Sequence, residues 1–165
     1  MRVAEFEDID NLKTLYVQST KHANQVGHID RPDQFSDEYF EPYIKVRELY
    51  CFDDENQIAG AARLSEIEAS SSVWEDDLAQ YLYVGRLATS NLVRNTRYFP
   101  NIMLPEIIDE AGRRDKIGVR LSALSDNLKL TDFYSSLGFS ALGNTLIFSL
   151  FYEKHIYVTR FEISI

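Results

Sequence analysis

The chain carries a single cysteine, Cys51, in 165 residues. No intrachain disulfide can form, and a reducing cytoplasm is the expected home. No apolar run approaches the roughly 20 residues that a helical bilayer crossing needs, so no membrane span is expected. Met1 is followed at once by the strand-like Arg2-Val3-Ala4-Glu5-Phe6. A charged segment backed by an apolar one is missing there, and no secretory leader is expected. The three histidines, His22, His28 and His155, are scattered without metal-ligand spacing, and no metal is expected. Basic residues are in deficit: 17 Lys and Arg against 26 Asp and Glu leave a net charge of −9. That balance argues against a nucleic acid, whose phosphates reward a basic surface. It suits a cationic or amine-bearing partner, and equally plain solubility.

What is present is a globular composition, 45% apolar and 13% aromatic. The length fits one domain with a substantial core. No repeat, low-complexity tract or linker divides it, so residues 1–165 are expected to form one domain. The acid is unevenly spread. No Asp or Glu lies between Asp77 and Glu106, 28 positions where an even spread would put about four. Arg86, Arg94 and Arg97 sit in that window. A buried strand accounts for part of the gap. The polar loop Ser90 to Tyr98 is not explained by burial. A locally positive loop in an acidic chain points to an anionic ligand, phosphate first.

The pattern along the chain predicts strand Arg2–Phe6, then a helix capped by Asp8 with Ile9, Leu12, Leu15, Tyr16 and Ser19 on one face. Gly27 to Pro32 breaks it. A second short helix starts at Ser36 and ends near Lys45. Glu48–Phe52, the turn Asp53–Asn56 and Ile58–Ile67 read as a hairpin. Tyr81–Ala88 is the strongest strand, apolar on both faces except at Gly85 and Arg86, as a central strand would be. A helix follows, carrying Met103, Leu104, Ile107, Ile108 and Ala111. Pro105 puts its start near Asn101, and Gly112 stands where it could end. Val119–Leu124 is a strand, and a helix from Asn127 to Leu137 is closed by Gly138. Ala141–Tyr152 and Ile156–Ile165 are two long strands joined at Glu153-Lys154. The order β-α-α-β-β-β-α-β-α-β-β fits one mixed α/β sheet flanked by helices.

The most informative stretch runs from Asn127 to Phe139: an Asn at a helix start, Phe133-Tyr134 two turns on, and a Gly138-Phe139 stop. It resembles the second half of the core of the GNAT (Gcn5-related N-acetyltransferase) superfamily. The element order extends that likeness over nearly the whole chain, while its motifs lie within Tyr81–Phe139. The resemblance implies a GNAT-type, mostly antiparallel central sheet with helices on both faces. It also implies an N-acyltransferase moving an acyl group, most simply acetyl, from acyl-CoA to a small-molecule or peptide amine. In that family the backbone of the central strand, here Leu87, Ala88 and Thr89, pairs with the pantetheine arm as another strand would. The following loop, Arg94, Asn95, Thr96, Arg97 and Tyr98, would hold the diphosphate. Asn127 would hydrogen-bond the arm. Tyr134 would protonate the departing thiolate, since a phenol of pKa near 10 suits a thiolate of about 8.5–10.

The chain departs from the family in two places. Its usual Arg-x-x-Gly-x-Gly/Ala loop is replaced by Arg94-Asn95-Thr96-Arg97-Tyr98-Phe99-Pro100-Asn101, without a glycine. Leu130 stands where the family has a small residue. No general base is evident: Glu66, Glu68, Asp76 and Asp77 are candidates that read equally as surface acids. Cys51 reads as a core thiol. Two alternatives stay open. The Gly85-Arg86-Leu87 step resembles acyl-homoserine-lactone and N-acyl amino acid synthases, which take long-chain or carrier-protein donors. A non-catalytic GNAT-derived binding module would also account for the missing glycines. The aromatic tail (Phe148, Phe151, Tyr152, Tyr157, Phe161) could pair with a second copy as a homodimer.

Overall fold

The computed structural model of the chain describes residues 1–25, 35–67, 74, 80–94, 96–149 and 154–165. Seven strands are hydrogen-bonded in the order β1-β2-β3-β4-β5-β7-β6: Arg2–Val3, Leu49–Asp54, Gln57–Ser65, Tyr81–Thr89, Gly118–Leu124, Lys154–Ser164 and Ser140–Ser149. β4 and β5 run parallel, whereas β1–β2, β2–β3, β5–β7 and β6–β7 are antiparallel. The sheet is therefore mixed and mostly antiparallel, as expected. The chain packs as two compact units, Met1–Leu64 with Arg86–Glu106, and Ser65–Gly85 with Ile107–Ile165.

In the first unit, helix α1 (Ile9–Gln25) buries Ile9, Leu12, Leu15, Tyr16 and Thr20, a stripe at helical spacing. α1 and helix α2 (Asp37–Lys45) cover the sheet face that carries Leu49, Cys51 and Ala61. Gly60 points to the opposite face, where a Cβ would lie 2.6 Å from Met103 Sδ. A widened π turn, Phe99–Met103, thus packs where strand alternation demands a vacancy. The predicted first strand is shorter than expected. Asp8 accepts from the Glu5 backbone N–H at 2.8 Å and from both Arg2 terminal nitrogens at 2.7 and 2.8 Å. Those bonds bend the chain into a 3-10 turn at Phe6–Asp8. The β2–β3 hairpin turns at Glu55 and Asn56, both at positive φ (46° and 66°), the handedness a tight hairpin needs.

The second unit holds the start of β4 with β5, β7 and β6, most of helix α3 (Leu104–Arg113) and helix α4 (Leu128–Ser136). Arg120 is buried inside it, paired with Glu162 at 2.7 Å and roofed by the rings of Tyr81 and Trp74. Burial of this charge is tolerable because the partner is present. The predicted helix start near Asn101 lies inside the π turn instead. Pro100 falls in the first turn, where a missing N–H does no harm, and α3 continues directly from Leu104. Gly112 does not stop α3. The helix runs to Arg113, and the left-handed residue behind it is Asp115 (φ 55°), a side chain that tolerates that region.

Candidate active site

β4 is where the regular sheet breaks down. Its ladder with β5 pairs Tyr81 with Gly118 through Val84 with Leu121, and stops there. Gly85 is exposed, and Arg86 follows at φ 50°, a left-handed kink in a strand. A non-glycine residue holds that conformation only where its surroundings fix it. Here they do. The Tyr16 phenol donates to the Arg86 carbonyl at 2.5 Å. The Arg86 guanidinium donates to Tyr43 Oη at 2.7 Å and lies 4.2 and 4.5 Å from the ring centres of Tyr39 and Tyr43. Burial pushes the Tyr16 phenol far above its usual range, so it acts as a donor and stays protonated.

Beyond the kink, Leu87 and Thr89 are half-buried and Ala88 is buried. The Ser90 amide closes back on the Ala59 carbonyl at 2.8 Å, and the Ser90 hydroxyl is buried without a hydrogen-bond partner among the described residues. Arg94 reaches back to the Thr89 carbonyl at 3.2 Å and to the Asn91 side chain. Burial lowers its pKa, though a guanidinium remains charged at neutral pH. His22 is lowered by burial and then by the charge of Arg94. Thr96 folds onto the Val93 carbonyl at 2.8 Å. Arg97 is exposed at φ 59°: the loop without glycines obtains a left-handed residue from an arginine. Tyr98 is buried, donates to the Asp53 carbonyl at 3.1 Å, and burial pushes its hydroxyl up to about 12. Asn95 lies outside the described residues. Leu87–Thr89, Arg94, Thr96, Arg97 and Tyr98 therefore share one unit, and Arg94 ties the loop to the strand end. The loop carries two guanidinia, those of Arg94 and Arg97, the chemistry an anion would need.

In the other unit, Asn127 caps α4: its side-chain oxygen accepts from the Leu130 N–H at 3.2 Å. Tyr134 is buried, its ring 5.2 Å from that of Phe161 and 5.8 Å from that of Phe139. Leu130 is half-buried. Gly138 takes φ 92° and closes the helix, as its sequence position predicts. Glu66 is a surface acid, paired with Lys116 at 2.7 Å and held ionised chiefly by it. Glu68, Asp76 and Asp77 lie outside the described residues. Cys51 is buried, and desolvation pushes its thiol up to about 12, as befits a core thiol. Among the described residues, no group of three His, Cys, Asp or Glu side chains is placed to hold a metal.

Solved structures share this architecture. A GNAT-family acetyltransferase from Listeria monocytogenes superposes with a TM-score of 0.74 at 19% identity, covering 98% of this chain and 93% of its own. The chain has the GNAT fold. A ribosomal L7/L12 α-N-protein acetyltransferase solved with coenzyme A gives 0.73 at 15% identity, over 99% and 92% of the two chains. A putative acetyltransferase from Salmonella typhimurium, solved with acetyl-CoA, gives 0.69 at 14%, over 99% and 91%. No protein-family model and no curated protein matches the chain.

The aromatic nest around Arg86 was not legible as a site in the sequence. Tyr16 reads as core, and Arg86 stands out only through the acid-free window and the Gly85-Arg86-Leu87 step, neither of which places it among phenols. The available signal was Tyr39 and Tyr43, two phenols one helical turn apart on α2.

Proposed function

We propose that the chain is an acyl-CoA-dependent N-acyltransferase acting on an amine. The observation that carries this is the departure of β4 from its ladder with β5 after Val84, followed by the Arg86 kink and the Arg94–Arg97 loop. In a GNAT fold this stretch of β4 can offer backbone groups to an amide-bearing tether. Leu87, Ala88 and Thr89 would pair with the pantetheine amides, and Asn127 would assist. Arg94, Arg97 and the N–H groups of residues 95–98 would take the diphosphate. The amine would attack the thioester carbonyl, and a β4 N–H would face the developing oxyanion. As the C–S bond breaks the Tyr134 phenol would protonate the thiolate, the proton shed by the amine returning through water to the phenolate. The donor is a thioester, most simply acetyl-CoA. The absence of loop glycines supports a second reading within the same chemistry, a long-chain or carrier-protein donor. We place the protein in the cytoplasm because of its lone buried cysteine. Among the described residues, no helix is long and apolar enough to cross a membrane. A homodimer through β6 and β7 fits their exposed Leu142, Leu146, Phe148 and Tyr157.

The test is a thermal-shift panel of CoA, acetyl-CoA, long-chain acyl-CoA and phosphopantetheine, with thiol release measured across a set of amines. Stabilisation by acetyl-CoA that weakens in the double variant R94A/R97A is expected. Stabilisation by long-chain acyl-CoA alone selects the second donor. No shift with any of them and no thiol release leaves a binding module, and the enzyme reading is lost.

A further inference from the structure

Two half-buried arginines of the first unit, Arg86 and Arg94, meet no acid among the described residues; Arg94 instead donates to the Thr89 carbonyl and the Asn91 side chain. Arg2 forks onto Asp8, and Arg63 meets Glu48 at 2.7 Å. Arg86 is half-buried, its contacts are the phenol of Tyr43 and the faces of Tyr39 and Tyr43, and no carboxylate pairs with it among the described residues. Glu48 is engaged by Arg63, which itself lies 4.9 Å from the same Tyr43 ring. A cation drawn from water between aromatic walls is costly without an anion. Those walls also fix the plane of the guanidinium. Its fork has five donors, and the Tyr43 oxygen takes one, so an edge remains for a planar, two-oxygen acceptor.

We infer that Arg86 receives a carboxylate carried by the acceptor amine, so that the chain acylates amino acids or similar amino-carboxylates. This rests on the acyltransferase reading above. Position separates this cation from the donor's phosphates. Arg86 precedes Leu87 on β4, and Thr89, which Arg94 contacts, lies three residues further, roughly 10 Å along a strand. The phosphate loop begins there, whereas Arg86 stands at the end where the thioester would sit. Its walls, Tyr39 and Tyr43, come from α2, not from that loop. The charge also fits. The nest offers one unmatched cation, which balances a monoanionic carboxylate and leaves a phosphate dianion half-neutralised. A carboxylate bound edge-on fixes one end of the acceptor and leaves its amine to reach the carbonyl.

The experiment compares kcat/KM, at saturating acetyl-CoA, for a set of L-amino acids, the matching amino-acid amides, and phosphoethanolamine as the phosphate arm. Wild type should prefer the acids over the amides by roughly 10- to 100-fold, the range of a lost charged hydrogen-bond pair. In R86Q the ratio should fall to within a few-fold of one. R86K keeps the charge without the fork and should fall between. CoA binding by calorimetry is recorded in parallel, because its loss would overturn the acyltransferase reading and not this assignment alone. With CoA bound, equal rates on acids and amides, a preference for phosphoethanolamine, or no turnover of any acid overturns the assignment. So does an unchanged ratio in R86Q.

Discussion

Tyr16 holds the backbone of Arg86 across 70 residues of sequence, its phenol donating to the Arg86 carbonyl at 2.5 Å. The hydroxyl sits at the end of a ring packed edge-on against Phe35, Tyr39 and Phe40. One side chain thereby joins the α1 stripe to the kink in β4. A left-handed arginine in a strand costs of order 1–3 kcal/mol, and this bond is part of what offsets it.

Tyr16→Phe keeps the ring and removes the donor. The Arg86 carbonyl is then left short of a partner, and folding stability should fall by about 1–3 kcal/mol. Urea denaturation reads this as a lower midpoint at unchanged slope. An unchanged midpoint would show that the kink needs no brace from α1.

Tyr134→Phe separates chemistry from packing. The ring contacts with Phe133, Phe139 and Phe161 survive the change, so the aromatic packing is kept and only the hydroxyl's own interactions are lost. If the phenol protonates the thiolate, kcat should drop by roughly 10²-fold or more, with the KM for acetyl-CoA nearly constant. Full activity in this variant removes Tyr134 from the mechanism.

Periodicity made most of the fold legible. The stripe Ile9, Leu12, Leu15 and Tyr16, the hairpin with Asn56 in its turn, and the Asn127 cap with its Gly138 stop all appear where their spacing puts them. What failed was local hydrogen bonding that no period encodes. The first strand ends early because Asp8 reaches back to Glu5 and Arg2. The α3 helix gains a π turn in front of it, and Asp115 rather than Gly112 supplies its left-handed exit. The candidate site was legible in the sequence only through a resemblance. Leu87–Thr89 and the diphosphate role of Arg94–Tyr98 follow only from what the family resemblance implies, while the acid-free window by itself marks a locally positive loop. The nest of Arg86 depends on a positive φ and on phenols from two distant helices, which are tertiary facts.

Gly118 shows a different constraint, where β5 begins. A Cβ there would lie 2.5 Å from the Ile163 carbonyl and 3.1 Å from the Tyr81 ring. The first obstacle is backbone on β7 and cannot rotate away. Gly118→Ala should therefore cost about 2–3 kcal/mol, near the upper range for overpacking. Gly85→Ala, with nothing within 4 Å of its Cβ, is the control and should cost far less. Thermal melts of the two variants make the comparison, and equal losses would mean that β5 and β7 slide apart freely.

The Arg2–Asp8 pair should give the chain a definite acid limb. The Asp8 carboxyl is held below its ordinary value of 3.8, first by the Arg2 guanidinium, against the opposing effect of burial, and then by the Glu5 N–H. A carboxyl lowered on folding stabilises the folded state fully above its unfolded value, and that contribution drains away as pH falls through the folded one. The loss attributable to Asp8 thus begins near pH 4 and deepens below it. Asp8→Asn removes the charge at every pH. Because Arg2 is 43% exposed at the side chain, solvent screening trims the effect, and the variant should be about 1–2 kcal/mol less stable at pH 7. The difference between wild type and variant, taken from urea titrations at each pH, should be flat from pH 7 to 5 and shrink below pH 4. A gap that stays constant down to pH 2 would assign the loss to packing and not to the ion pair.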